Sequence, residues 1–219
     1  MNNHSLKDVK IKDGDLVSAA AEKLSPRAKA TFNLIVETAH RSFSERGYEL
    51  TSIKTIADAA DLSVGLIYKY FSNKEELYRY IVFSEQDAIK RYINANIDPS
   101  SSRLQKEKDG LRAWLHYVQE NPDVYKLIWE SLFFDKQSFD EYYSDFAFSY
   151  RKALAFDNDE LSLDDTKNLA YILIGINNFL GIRIITSKMT IDDEEIDRMV
   201  ETASQVMLHG FLKADDQGE

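Results

Sequence analysis

The chain has 219 residues, 44% hydrophobic and 29% charged, which is enough to bury a sizeable core in one or two domains. It has no Cys, which excludes a disulfide framework and a thiolate metal site and fits a reducing cytoplasm. The net charge of −10 is unevenly spread: residues 1–24 are net 0, residues 25–80 net +1 and residues 81–219 net −11, so a nucleic-acid ligand is not excluded for the first part.

Residues 1–24 read as an N-terminal arm, expected to be flexible. Met1 to Lys12 has lysines but lacks the apolar run of a signal peptide. Ser25-Pro26 is an N-cap followed by Pro at the first helical position. The following amphipathic helix repeats Phe32, Ile35, Val36, Ala39 and Phe43 and stops at Gly47. Thr51 and Ser52 offer an N-cap for Ile53–Ala60, Asp61-Leu62-Ser63 makes a turn, and Ser63 caps Val64–Phe71. Ser72/Glu75 and Asn73/Glu76 both have capping-box spacing at the head of a helix that runs to about Ala95. Residues 98–102 break the pattern. Four or five longer helices are then expected: Leu104–Gln119, one capped by Asn121-Pro122 and running to Phe133, Ser138–Leu154, one opened by Ser162/Asp165 and one opened by Thr190/Asp193. Strand alternation is scarce, so the fold class is all-α.

The informative stretch is Thr51–Leu77, TSIKTIADAADLSVGLIYKYFSNKEEL. Two short helices joined by a tight turn and backed by an amphipathic helix make a helix-turn-helix. Ile56 and Ala57 face inward, Leu62 plugs the turn, and Ile67 and Phe71 bury the back of the second short helix. At about 100° per residue, Gly65, Leu66 and Lys69 then lie on the opposite side, flanked by Tyr68 and Tyr70, with Val64 at the tip. Two tyrosines and a lysine around a Gly-Leu face make a poor core and a good DNA surface: hydroxyls reach phosphates, and Val64 and Leu66 meet thymine methyls. Lys74 sits in a first helical turn, where the dipole disfavours a cation unless a phosphate lies beside it.

This segment resembles the DNA-binding domain of the TetR/AcrR family of transcriptional regulators. The resemblance rests on Thr51/Ser52, Ile56-Ala57, Ala60, Leu62-Ser63, Gly65, Ile67-Tyr68, Tyr70-Phe71 and Lys74–Leu77, and covers about residues 25–80. It implies phosphate contacts from Thr51 or Ser52, Tyr68, Tyr70 and Lys74. It places Ser63, Val64, Gly65, Leu66 and Lys69 on the recognition helix. Asp61 stands where the family usually has Gly; Asp tolerates the left-handed conformation, so the turn should survive. The implied organisation is a helix-turn-helix domain at 25–73, a linking helix at 74–95 and a ligand-binding and dimerisation domain at 96–219. The implied function is a cytoplasmic, homodimeric repressor of a double-stranded DNA operator, released by a small-molecule effector.

The second half is rich in aromatics at helical spacing. Most such residues are core, but their density also suits a cavity for an apolar or aromatic effector. The candidate lining is Trp114, Tyr117, Trp129, Phe133, Phe146, Tyr150, Tyr171 and Asn178; His116 and Arg183 could neutralise an anionic ligand. Leu169–Ile185 is apolar nearly all round and must be covered on two sides. It reads as a buried helix before it reads as a membrane span. The last helix carries a stripe of Ile196, Met199, Val200, Ala203, Val206, Met207 and Phe211. Gly175, Gly181, Met199 and Val206 are the candidate dimer contacts. Two such helices per subunit form a four-helix interface in the family, and a two-fold dimer presents its recognition helices about one DNA turn apart.

Two other classes of function compete with this one. An enzyme would need a catalytic motif, and HExxH, GxGxxG, P-loop and GxSxG are all missing; no cofactor or metal is expected. A helical protein-interaction module that does not bind DNA would not need Tyr68, Lys69, Tyr70 and Lys74.

Overall fold

Ser25 accepts a hydrogen bond from the Ala28 N–H, Pro26 takes the first helical position, and helix α1 (Pro26–Leu50) follows. The computed structural model describes residues 24–157, 163–188 and 191–209. Residues 1–23 of the N-terminal arm and Phe211 therefore lie outside the described residues, as do Ser162 and Thr190, the expected caps of the last two helices. Every element among the described residues is a helix, as expected of an all-α chain.

α1 buries Phe32, Ile35, Ala39 and Phe43, spaced three and four apart on one face. Gly47 ends the regular helix at φ 77°, a left-handed conformation that costs glycine little. α2 (Ile53–Ala59) begins at a reciprocal capping box between Ser52 and Thr55. α3 (Val64–Ile67) is capped by Ser63 and is shorter than the expected Val64–Phe71. Past Ile67 the chain tightens into turns, with Tyr70 N–H donating to the Ile67 carbonyl at 2.9 Å. Those turns bring Phe71 under Phe32, 5.4 Å between ring centroids. α4 (Lys74–Ala95) is capped by Asn73, whose side-chain oxygen accepts from Glu76 N–H at 2.7 Å, while the Glu76 carboxylate reaches back to Ser72 N–H.

The later helices are α5 (Arg103–Glu120), α6 (Pro122–Phe134), α7 (Lys136–Asp157), α8 (Leu163–Thr186) and α9 (Asp193–His209). Two caps differ from expectation. α7 starts two residues before Ser138, because Asp135 accepts from Ser138 N–H. α9 is capped by Asp192, which accepts from Glu195 N–H. In both cases an Asp carboxylate supplies a stronger acceptor at the N-terminal end of the helix dipole.

Internal packing divides the chain into two units. The first holds the described residues up to Asp87 together with Asp123–Tyr142; the second holds Ala88–Pro122 and the described residues from Tyr143 onward. These boundaries differ from those expected at 73 and 95, because α6 and the start of α7 are tied to α1 and α4. Tyr78 Oη donates to the Leu127 carbonyl at 2.6 Å and Lys126 Nζ to the Ser44 carbonyl at 3.1 Å. Arg79 donates to Ser138 and pairs with Glu141, and the Gln86 amide donates to the Tyr142 carbonyl at 2.8 Å.

In the second unit α5 packs on α8 and α9 through Leu111, Trp114, Leu115 and Val118. Trp114 Nε1 donates to the Asn177 carbonyl at 2.9 Å. Arg112 pairs with Asp197, and Lys108 with Glu201. α7 and α8 meet at a cluster of Ala147, Ala170, Leu173 and Ile174.

Candidate nucleic-acid interface

The turn between α2 and α3 is made as its residues predict. Asp61 adopts φ 53°, the left-handed value required where the family usually has Gly. Ile56, Ala57, Ala60, Ile67 and Phe71 are buried beneath the turn and fix the angle between the two helices. The face left outside by α3 and the turns that follow it carries Val64, Gly65, Tyr68 and Lys69, all exposed, with Leu66 half-buried. Tyr68 remains 42% exposed although it is a large aromatic. A Cβ built on Gly65 would meet nothing within 4 Å. Its backbone is not left-handed, so neither packing nor backbone conformation inside the chain requires glycine there.

Ser52 and Ser63 sit exposed at the N-termini of α2 and α3, each hydroxyl accepting a backbone N–H. Lys54, in the first turn of α2, is exposed and pairs with Asp58 at 2.8 Å, which raises its pKa above the ordinary lysine value.

Thr51 does not fit the role expected of it. It is 1% exposed, and its hydroxyl donates to the carbonyls of Ser42 and Gly47 at 3.1 and 2.8 Å. It closes the end of α1 and has no surface to offer a phosphate; Ser52 alone is the cap. Tyr70 is half-buried, and its hydroxyl donates to the Ala28 carbonyl at 3.3 Å. Lys74 also has partners within the chain: its Nζ donates to the Tyr48 carbonyl at 2.9 Å and lies 3.8 Å from the centroid of the Tyr48 ring. That contact offsets the unfavourable helix dipole before any phosphate arrives. Burial first, and then the Glu75 carboxylate, raise the pKa of the Tyr48 hydroxyl above its usual range. Sequence reading missed Tyr48, because 26 residues separate it from Lys74 and no spacing rule joins them.

The eight residues expected to line an effector cavity are divided between the two units. Trp129 and Phe133 belong to the first unit, the other six to the second. Phe133 is 84% exposed and walls no enclosure, because its neighbour Phe134 takes the docking position, stacked 3.6 Å from Tyr48. In the second unit Trp114, Tyr117 and Asn178 are buried, Phe146 and Tyr150 half-buried, and Tyr171 is exposed. Tyr143 Oη donates to Asn178 at 3.0 Å. Tyr150 donates to Glu107, which also pairs with Arg103. Burial first, then the Glu107 charge, raises the Tyr150 pKa well above the usual phenol range. The Arg103/Glu107 spacing of four residues was the only sequence signal for that cluster. His116 is half-buried, and Arg183 is exposed and paired with Glu195.

Two of the four expected dimer contacts are turned inward. Gly181 and Met199 are buried within their own unit, while Val206 is exposed and Gly175 has open space above its Cα. The exposed apolar residues on these helices are instead Ile172, Phe179, Val206 and Leu208, Phe179 at 69%. Between α8 and α9 runs an open groove of about 420 Å³, lined by Ile176, Phe179, Leu180, Met199, Ala203 and Val206 and flanked by Arg183, Glu195, Arg198 and Thr202. The stretch Asp165–Thr186 is long and apolar enough to cross a membrane, and only 33% of its apolar window is buried.

Comparison with known proteins adds to this geometry. A family profile described as "Bacterial regulatory proteins, tetR family" matches residues 35–81. The HTH-type transcriptional activator FasR of Mycolicibacterium smegmatis is 26% identical over 106 residues, 48% of this chain and 48% of that protein. The "Probable acrEF/envCD operon repressor" of Escherichia coli K12 is 28% identical over 105 residues, 47% of each. The matches thus span about half the length of these curated relatives, which are transcription regulators by name. The crystal structure of AibR in complex with isovaleryl coenzyme A and operator DNA has a TM-score of 0.59 at 17% identity, covering 83% of this chain and 99% of that one, and shares the fold. Over residues 35–81, the chain is thus similar to the tetR family of bacterial regulatory proteins.

Proposed function

We infer that the protein is a DNA-binding transcription regulator that acts as a cytoplasmic homodimer and leaves its operator when a small molecule binds. The observation that carries this is the α3 face. Val64, Gly65, Tyr68 and Lys69 stand out from a helix whose other side is sealed by Ile67 and Phe71, and Gly65 has no reason within the chain to be glycine. Such a face fits a major groove, with Ser52, Ser63, Tyr68 and Lys74 placed for the backbone and Val64, Gly65, Leu66 and Lys69 for base edges.

The exposed apolar stripe of α8 and α9 is the surface a second copy would cover. A partner helix suits it better than lipid, since Arg183, Glu195 and Arg198 flank the same groove. The effector would be apolar or aromatic, received in the second unit near Trp114, Tyr117, Phe146, Tyr150 and Asn178. AibR, of the same fold, is named with both an acyl-coenzyme A and operator DNA, which supports the pairing of roles.

Selection of duplexes from a random-sequence library by the purified protein is the test. The expected product is a palindromic site, bound with a log–log salt slope of about −4 to −5 for two or three cationic contacts per subunit. Replacing Tyr68 and Lys69 by Ala together should abolish enrichment with unfolding midpoint and dimer mass unchanged. Equal enrichment by that variant would refute the reading.

A further inference from the structure

We propose that Phe134, on α6, is a positioning residue for the Lys74 ammonium and acts on it through Tyr48. The inference rests on the reading above, in which Lys74 meets a DNA phosphate.

A lysine head on a four-carbon stem keeps much rotamer freedom unless something holds it. Here the holder is Tyr48, which presents both its carbonyl and its ring face to Nζ. The Tyr48 ring is itself braced. Phe134 lies parallel to it, centroids 3.6 Å apart and planes inclined by 4°. Tyr78 meets both rings edge-on, at 5.1 Å from Tyr48 and 4.9 Å from Phe134. Tyr78 and Lys126 then bond α6 to α4 and to the end of α1. Gly47 breaks α1 just before Tyr48, so no continuous helix holds that residue in place. The ring stack sets it.

The consequence is a second route for regulation. A shift at the C-terminal end of α6 would slide Phe134 off Tyr48, free the Lys74 side chain and weaken one phosphate contact in each subunit. The recognition helix α3 need not move at all. Lys74 keeps two further N–H donors for a phosphate when Tyr48 takes one.

The experiment uses the full-length protein and the duplex that it selects. Binding is measured by fluorescence anisotropy across a salt series for wild type, Phe134→Tyr, Phe134→Leu, Lys74→Met and the Phe134→Leu/Lys74→Met double variant. Lys74→Met should make the log–log slope shallower by about 1.8, one phosphate per subunit, and Phe134→Leu should make it shallower by a part of that. Phe134→Tyr should stay within about twofold of wild type, and Phe134→Leu should add nothing to Lys74→Met, as expected of two residues acting on one contact. Additive losses, or a Phe134→Leu slope equal to wild type, would overturn the proposal. A Lys74→Met slope equal to wild type would also overturn it while leaving DNA binding intact. Failure of the wild type to select any duplex would instead remove the reading beneath it, and the proposal with it. A second readout needs no DNA. In protein reductively methylated with carbon-13, the Lys74 methyl resonance should be shifted upfield by the Tyr48 ring and should move toward the exposed lysines in Phe134→Leu. An unmoved resonance counts against the proposal.

Discussion

Gly65 separates stability from function at a single position. Glycine in a helix is less favourable than alanine by roughly 0.5–1 kcal/mol, and nothing in the chain fills the space a Cβ would take. Gly65→Ala should therefore raise the melting temperature slightly, by about 1–4 °C in a protein of this size. The same methyl group pressed against a groove should cost about 1–3 kcal/mol of operator affinity, as overpacking does elsewhere. Scanning calorimetry and anisotropy on the one variant check both signs; an unchanged affinity would remove Gly65 from the interface. Asp61 was legible in the same local way, because a two-helix turn of this length needs a left-handed residue and Asp tolerates it. Thr51 was not. Its hydroxyl acts as an internal tie to Ser42 and Gly47, and that depends on how α1 ends, which no cap rule at Thr51-Ser52 contains.

Among the elements, four helix starts were readable from a capping side chain within three residues of the N–H it receives, whereas the Asp135 and Asp192 caps were not. The four side chains are Ser25, Ser52, Ser63 and Asn73. Asn73→Ala should lower stability by about 1 kcal/mol in urea denaturation, the usual cost of a lost cap, with most of the loss falling on the first turn of α4. Amide exchange should then quicken at Glu76, whose N–H loses its acceptor; unchanged protection there would mean that Asn73 is not the cap that matters. The allegiance of α6 was not readable. Its amphipathic pattern is that of any bundle helix, and what joins it to α1 and α4 is a pair of hydrogen bonds, Tyr78 to Leu127 and Lys126 to Ser44, across 49 and 82 residues, while Arg79 and Gln86 tie the start of α7 to α4 in the same way. The length of α3 was likewise decided by tertiary packing: the demand to seat Phe71 under Phe32 tightens the chain after Ile67.

At the scale of the whole molecule, the exposed apolar stripe on α8 and α9 is what a monomer would least tolerate. Phe179→Glu should leave the helical content intact and shift the protein toward monomers in sedimentation. A buried aromatic at such an interface contributes about 2 kcal/mol or more, and two-fold symmetry counts it twice. Operator affinity should fall in parallel, since each half then binds alone. A dimer of unchanged stability would place the subunit contact elsewhere.

Local chemistry in the chain was enough to specify an all-α protein, the helix-turn-helix between Thr51 and Leu77, its left-handed turn and most of its caps. Each of those depends on side chains a few residues apart, where backbone geometry alone sets who meets whom. Tertiary structure alone decided that Thr51 and Met199 face inward, that Phe133 is left outside while Phe134 docks, and that Lys74 rests on Tyr48. Those outcomes turn on which of several equally apolar faces finds a partner. That choice is made by contacts between segments far apart in the chain, and periodicity is blind to it.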